Sequence, residues 1–112
     1  MNVDKEDLEN KSLELLADGN FIEAEGFFRK ILEIDKTQVS NWNNLGICLF
    51  KQEKYKDAEI AFNEALKINN KFSAAWFNIG LVYNKQGKIV EEEKAFRNAT
   101  NLDKRFFDAW VT

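Results

Sequence analysis

The sequence contains no histidine and no proline, and it has a single cysteine among its 112 residues. Without histidine the chain lacks the commonest general base, the commonest metal ligand and any Ser-His or Cys-His catalytic pair. The lone cysteine, Cys48, can form neither a disulfide framework nor a CxxC metal site within the chain. These absences predict a protein that is not an enzyme and carries neither a metal nor another cofactor.

Long apolar runs and a surplus of basic residues are also missing. The chain has no apolar run of about 18 residues, and its polar start, MNVDKEDLEN, lacks the pattern of a signal peptide. The formal net charge is −3, so no general excess of Lys and Arg exists to neutralise nucleic-acid phosphates. We therefore expect a cytoplasmic protein that has neither a membrane nor a nucleic acid as a partner.

The residues that are abundant are those of a helical protein. Hydrophobic residues make up 45% of the chain, which is enough to form a buried core. Glycine is scarce, whereas Ala, Leu, Glu and Lys are frequent, and this composition favours helix throughout. The length of 112 residues fits one domain. The predicted class is therefore a single all-α domain, residues 1–112.

Three tryptophans reveal the period of an internal repeat. Trp42, Trp76 and Trp110 follow one another at intervals of 34 residues. Other residues recur at the same interval, for example Leu45-Gly46 as Ile79-Gly80. The period divides the chain into three repeats and a truncated fourth, with approximate boundaries at 5–38, 39–72, 73–106 and 107–112.

Apolar spacing within a repeat predicts two helices. In the second repeat, Trp42, Leu45 and Leu49 share one helical stripe. After a short polar break, Ala58 and Phe62 begin a second stripe with the same helical spacing. Each repeat is therefore predicted to be a helical hairpin.

The period of 34, the two helices per repeat and the string WNNLG, followed by Ala58, Phe62 and Ala65, resemble the tetratricopeptide repeat (TPR) family. The resemblance covers essentially the whole chain. It implies an α-solenoid of three helical hairpins plus the start of a fourth first helix, and it implies a protein–protein interaction module. Within each hairpin we expect the glycine, Gly46 or Gly80, to leave room for the second helix.

Two repeats depart from the family pattern. The first has Leu8 in place of tryptophan and Ser12 in place of glycine, as expected for an N-terminal cap with one face in water. The third has Glu92 where the other two have alanine. Because a carboxylate at a helix–helix contact is unfavourable unless it reaches water or a partner, we expect loose packing in the third hairpin.

The end of the sequence is rich in aromatic residues that have no hairpin of their own. Phe106, Phe107 and Trp110 begin a fourth first helix, and the sequence ends at Thr112. Either the chain is a piece of a longer array, which we favour, or a second copy covers this aromatic edge. Self-association through these three aromatic residues therefore remains an alternative.

The first helices of stacked hairpins line the inner surface of a solenoid. A helical wheel places three ladders of like residues on the face opposite the core stripe. These ladders are Asn10, Asn44 and Asn78; Leu13, Ile47 and Leu81; and Lys51 and Lys85. Asparagine has one acceptor and two donors, which suit pairing with the amides of an extended peptide whatever its side chains. Phe77 and Asn43, at the side of the groove, are candidates for added selectivity.

The spacing of the asparagines suits an extended ligand. Neighbouring helices pack about 8–10 Å apart and an extended chain rises about 3.3 Å per residue, so each asparagine serves about every third ligand residue. Simpler interpretations stay open. Duplication of one repeat also explains the asparagines, and the lysines are also explained as charges that stabilise helix C-termini. Cys48 is predicted to be a small buried apolar residue.

We interpret the chain as an adaptor or scaffold that binds an extended peptide or a partner helix in an Asn-lined concave groove. Similar arrays in chaperone cofactors hold a terminal carboxylate with lysine, arginine and asparagine, but of those positions only Asn44 matches here. Carboxylate capture of that type is therefore disfavoured. The alternatives are an element that self-associates and the substrate-recruiting arm of a larger enzyme. The identity of the partner does not follow from the sequence.

Overall fold

The computed structural model describes residues 4–111, with the side chains described for residues 4–109. Within that range the chain forms helices and no strand, which confirms the all-α prediction. The helices are α1 (Lys5–Ala17), α2 (Phe21–Ile34), α3 (Val39–Lys51), α4 (Tyr55–Ile68), α5 (Ser73–Gln86), α6 (Ile89–Leu102) and α7 (Arg105–Val111). They pair as three hairpins followed by one further helix, and each hairpin packs on the next. The result is an elongated α-solenoid of 48 × 25 × 21 Å.

Tight turns join the two helices of each hairpin. Gly19 and Gly87 occupy the left-handed region there, with φ values of 79° and 72°, respectively. Glycine adopts this conformation without steric penalty because it has no Cβ. The turn of the second hairpin has the same form, but Glu53 takes the left-handed position with φ of 63°. This backbone conformation is therefore a property of the hairpin and is independent of the residue that occupies it.

Each glycine of the core lies directly beneath an aromatic ring. A Cβ added to Gly46 would lie 2.4 Å from the Phe62 ring, and one added to Gly80 would lie 2.5 Å from the Phe96 ring. Phe62 and Phe96 are themselves almost completely buried. The predicted role of these glycines is confirmed, because only a residue without a side chain permits this approach of the two helices.

Two tryptophans form hydrogen bonds with the segments that connect one repeat to the next. Trp42 donates its Nε1 hydrogen to the carbonyl oxygen of Lys36 at 3.0 Å, and Trp76 donates to that of Asn70 at 2.8 Å. Lys36 and Asn70 are equivalent positions, one repeat apart. Each indole therefore packs its ring against the core and holds the preceding connection by one hydrogen bond.

Polar contacts also join one repeat to the next. Gln52 at the end of α3 donates to the Glu25 carboxylate in α2 at 2.9 Å, and Lys54 lies 3.5 Å from the same carboxylate. Burial alone would raise the pKa of Glu25, but hydrogen bonds from Arg29 and Gln52 and the charge of Lys54 lower it below its ordinary value. The stability that the charged Glu25 contributes is therefore present above its unfolded-state pKa and lost as the pH falls below it.

The outer face of α1 is polar where the corresponding faces of α3 and α5 are buried. Asp7 and Glu14 are exposed, whereas Cys48 in α3 and the equivalent Val82 in α5 are fully buried against the preceding hairpin. In this respect α1 differs from the first helices of the two later hairpins. Among the described residues, none of the helices combines the length and the apolarity that crossing a membrane requires.

The prediction of loose packing in the third hairpin is wrong. α5 and α6 contact each other as extensively as α3 and α4 do. Glu92 lies in the first turn of α6 and is half-buried, and its two carboxylate oxygens accept from Asn84 Nδ2 at 3.4 and 3.3 Å. A carboxylate near a helix N-terminus also interacts favourably with the helix dipole. The side chain therefore reaches both a partner and water without separating the helices.

Candidate functional site

The predicted groove residues all lie on the first helices of the hairpins, outside the buried core. α3 and α5 contact each other directly, so their ladders are adjacent. Among the nine candidates, four are exposed and five are half-buried. The exposed residues are Asn10, Leu13, Lys51 and Lys85, and the half-buried residues are Asn44, Ile47, Phe77, Asn78 and Leu81.

A pocket of about 170 Å³ lies between α3 and α5. Four of the predicted residues line it, and two further aromatic rings complete it. The lining consists of Ile47, Phe50, Lys51, Phe62, Asn78 and Leu81. The structure thus brings one member of the asparagine ladder, two of the aliphatic ladder and one of the lysine ladder to a single concavity.

Phe50 is a pocket residue that the sequence analysis missed. It lies one residue before Lys51 near the end of α3, beside the ladders identified on the helical wheel. Its ring packs edge-on against Tyr55 with the centroids 5.5 Å apart. The signal in the sequence was weak, because the equivalent positions hold Leu16 and Asn84 and so do not form a ladder.

Asn43 orients Asn78 and is not itself exposed in the groove. Asn78 Nδ2 donates to Asn43 Oδ1 at 3.1 Å, across the junction between α5 and α3. Asn43 is only 6% exposed, so its side chain has little surface to offer a ligand, and its route to selectivity is through the orientation of Asn78. An amide has two donors and one acceptor oxygen, so Asn78 retains one donor hydrogen and its oxygen for a ligand. Asn10 and Asn44 make no side-chain hydrogen bond with the described residues.

Phe77 and Phe106 pack on each other. Their rings are stacked with centroids 5.0 Å apart, and Phe77 also contacts Phe96 at 5.3 Å. The two residues were predicted to serve separate surfaces, Phe77 the groove and Phe106 the self-association edge. In the structure their contact joins α7 to the third hairpin. Of the predicted edge, Phe107 is 48% exposed, and the side chain of Trp110 lies outside the described residues.

Charge varies along the groove. Lys51 lies in the last turn of α3 and Lys85 in the last turn of α5, and neither forms an ion pair with the described residues. At the other end, α1 carries the exposed Glu6 and the partly exposed Glu9, which lies 3.6 Å from Lys5. The predicted groove face therefore carries acidic side chains on α1 and one lysine on each of α3 and α5.

Cys48 is a core residue and has no reactive character. Its side chain is fully buried, and burial raises the pKa of the thiol to about 11. The thiol therefore stays protonated at neutral pH and packs as a small apolar group, as predicted. Within residues 4–109, the structure forms no cluster of three or more side chains suited to binding a metal ion.

Comparisons with known proteins agree with this architecture. Among solved structures, MamA superimposes with a TM-score of 0.91 at 21% identity, over 96% of this chain and 63% of MamA. The Yersinia enterocolitica type III secretion chaperone SycD, in complex with a peptide of the translocator YopD, gives 0.87 at 17% identity, over 95% of this chain and 83% of that one. PcrH, in complex with the chaperone-binding region of PopD, gives 0.84 at 18% identity, over 87% and 73%.

No curated protein sequence matches the chain. Residues 41–72 match a family model of the tetratricopeptide repeat, and residues 73–106 match a second model of the same repeat. Together the two matches cover more than half of the sequence, and α1 and α2 form a third hairpin that packs on them in the same way. The chain belongs to the tetratricopeptide repeat family.

Proposed function

We propose that the protein is a cytoplasmic adaptor or scaffold that binds an extended segment of a partner protein in the groove formed by α1, α3 and α5. Tetratricopeptide repeats form protein–protein interaction modules, and the chain shares its fold with SycD and PcrH, which bind segments of other proteins. The observation that carries the proposal is the pocket between α3 and α5, because it combines apolar walls with Asn78 and Lys51 at a concave surface.

The asparagine ladder supplies the sequence-independent part of the interaction. The amides of Asn10 and Asn44 form no hydrogen bond within the described part of the chain, and Asn78 is held in place by Asn43. An extended peptide exposes a backbone donor and acceptor at each residue, so these amides bind its main chain whatever its side chains. Ile47, Leu81 and Leu13 add apolar contacts beside them.

A double substitution tests the ladder. We expect Asn44→Ala combined with Asn78→Ala to weaken binding by about 1–3 kcal/mol, because each change removes hydrogen bonds to the ligand main chain. The ligand is a peptide selected against the wild-type protein from a random phage-displayed library, and its affinity is measured by isothermal titration calorimetry.

The matched control is Asn63→Ala, since Asn63 is an exposed asparagine on α4, outside the groove. It should leave the affinity unchanged. Because Asn78→Ala removes the partner of the buried Asn43, thermal unfolding of each variant must show that it is folded at the titration temperature. An unaltered affinity in a folded double variant would remove the asparagine ladder from the mechanism.

Self-association is the second candidate, and the observation that favours it is the exposure of Phe107 on the short helix α7. We expect an assembly through this edge to dissociate when Phe107 is changed to Asp, because a charge is costly to bury at an apolar contact. Light scattering over a range of concentrations distinguishes the two functions. A mass that stays monomeric for both wild type and Phe107→Asp would eliminate the assembly.

A further inference from the structure

We propose that the ligand of the groove presents an apolar side chain to the pocket between α3 and α5, and a carboxylate beside it to Lys51. This inference rests on the proposed function, because it specifies the chemistry of the segment that the groove binds. It also predicts a second acidic residue of the ligand near Lys85. The ligand is thus an apolar–acidic segment of a partner protein in extended conformation.

The size and the lining of the pocket suit a single apolar side chain. Sites for small molecules usually enclose about 300–1,000 Å³. At about 170 Å³ this pocket is too small for such a ligand and suits one aliphatic side chain. Four of its six lining residues are apolar: Ile47, Phe50, Phe62 and Leu81. A charged or amide side chain placed there would lose its hydration with few partners to replace it.

The polar rim of the pocket selects the neighbouring residue. Lys51 lines the pocket, is exposed, and forms no ion pair with any of the residues described. A ligand carboxylate next to the buried apolar side chain would give this ammonium a partner. A basic ligand residue in the same place would meet a like charge, which is unfavourable at short range.

The same reasoning extends to the next helix. α5 lies beside α3 and ends in Lys85, which is likewise exposed and without an ion pair in the described part of the chain. Packed helices are about 8–10 Å apart and extended chain rises about 3.3 Å per residue, so the second acid should follow the first by about three residues. Toward α1 the groove presents Glu6 and Glu9, which disfavour further ligand acids there.

Three synthetic peptides test this pattern. Each is nine residues long, acetylated and amidated so that side chains supply all its charges. The acidic peptide has the sequence Gly-Ser-Leu-Glu-Ser-Gly-Glu-Ser-Gly. The basic peptide has lysine in place of both glutamates, and the polar peptide has serine in place of leucine. Amide NMR spectra of the labelled protein, recorded during titration with each peptide, give both the affinity and the residues affected.

We expect the acidic peptide to bind wild type at least tenfold more tightly than the basic or the polar peptide, with the largest shifts at Ile47, Asn78 and Leu81. Lys51→Glu should abolish the difference between the acidic and basic peptides, because Lys85 still attracts one glutamate of the acidic peptide while the carboxylate introduced at position 51 repels the other. The matched control, Lys94→Glu, makes the same charge change on the exposed face of α6, away from the groove. In this variant the acidic peptide should still bind more tightly than the basic one.

The outcomes separate the inference from the proposed function. If the acidic and basic peptides bind the groove equally well, or if Lys51→Glu and Lys94→Glu have the same effect, the inference is wrong and the groove still binds peptides. If the polar peptide binds as well as the acidic one, the pocket does not take an apolar side chain and the inference again fails. If no peptide shifts any groove resonance, the inference and the proposed function are both overturned.

Discussion

The first and second hairpins each pack two helices in the same arrangement, but they do so with different side chains. In the first hairpin the tryptophan position holds a smaller residue, and the two positions that are small in the second hairpin hold larger ones. The corresponding residues are Leu8, Ser12 and Ile31 in the first hairpin, and Trp42, Gly46 and Ala65 in the second. Each hairpin thus fills its interior, with Phe28 and Phe62 equally buried at equivalent positions.

The difference shows that the residues of a repeat act as a set. Protein interiors tolerate volume moved from one position to another, but they tolerate volume added at one position poorly. Ser12 is buried in the first hairpin and donates its hydroxyl hydrogen to the Leu8 carbonyl at 2.6 Å, so a side chain fits there. The second hairpin has no such space, since the Phe62 ring occupies it.

The largest loss of stability is therefore expected when one residue of the second hairpin's set is changed alone. Gly46→Ala places a methyl group 2.4 Å from a Phe62 ring that is itself fully enclosed. We expect the free energy of unfolding to fall by about 3 kcal/mol, at the upper end of overpacking effects, because neither helix can withdraw without breaking other contacts. Urea unfolding followed by circular dichroism measures the change.

The control for this substitution is Gly26→Ala in α2. A Cβ at Gly26 meets no atom within 4 Å, so only the intrinsic preference for helix is altered. This variant should be more stable than wild type by about 0.5–1 kcal/mol. Two substitutions of the same kind then have opposite signs. If Gly46→Ala is tolerated as well as Gly26→Ala, the two hairpins do not differ in the way described.

The sequence alone predicts the features that recur with the period of 34. The hairpins and the glycine beneath the aromatic ring in the second and third repeats follow from residue types at equivalent positions, and the structure confirms them. The lysines at the ends of α3 and α5 follow in the same way. Periodicity reveals such features because one geometric requirement is imposed repeatedly.

Features that break the period are not predictable in this way. The hydrogen bond from Asn78 to Asn43 joins two different positions of the repeat, so no ladder indicates it. Phe77 stacks on Phe106, and this is the one repeat in which both members of the pair are aromatic. The bond from Asn84 to Glu92 likewise occurs once. Each depends on which side chains happen to meet, and a helical wheel of one helix contains no such information.

A comparison of the second and third hairpins predicts the next largest change in stability. Asn41 in α3 is 4% exposed and its Nδ2 has no hydrogen-bond acceptor among the described residues, whereas α5 has the fully buried Ala75 at the same position. Because a buried amide without a partner is unfavourable, we expect Asn41→Ala to raise the free energy of unfolding by about 1 kcal/mol. Thermal and urea unfolding both report it.

Asn43→Ala provides the contrast for Asn41→Ala. Asn43 is also buried, but its oxygen accepts the hydrogen bond from Asn78. Its removal should lower the free energy of unfolding by about 1 kcal/mol, since a satisfied polar group is lost. The same substitution at two positions of α3 that are two residues apart is thus expected to change stability in opposite directions. Equal losses of stability at the two positions would mean that Asn41 stabilises α3. The natural alanine at the equivalent position of α5 does not reveal such a role.

The smallest change in stability is expected from a substitution in the turn of the second hairpin. Glu53 adopts φ of 63°, where the first and third hairpins have Gly19 and Gly87. The hydrogen bonds are the same in all three turns: the backbone N–H of each of these residues donates to the carbonyl of the residue three before it, at 2.9–3.1 Å. The Glu53 carboxylate forms no ion pair with the described residues, so replacing it removes no contact of that kind.

Replacement of Glu53 by glycine therefore changes only the backbone preference. The left-handed conformation costs a residue with a Cβ about 1–2 kcal/mol. Glycine avoids that strain but loses about 0.5–1 kcal/mol more conformational entropy on folding than alanine does. We expect Glu53→Gly to raise the free energy of unfolding by about 0.5 kcal/mol, the difference between these two effects. The reciprocal variant Gly19→Ala, where a Cβ meets no neighbour, should lower it by a similar amount. If both variants are less stable than wild type, Glu53 stabilises its turn through its side chain, and the three turns share a backbone conformation without sharing its cause.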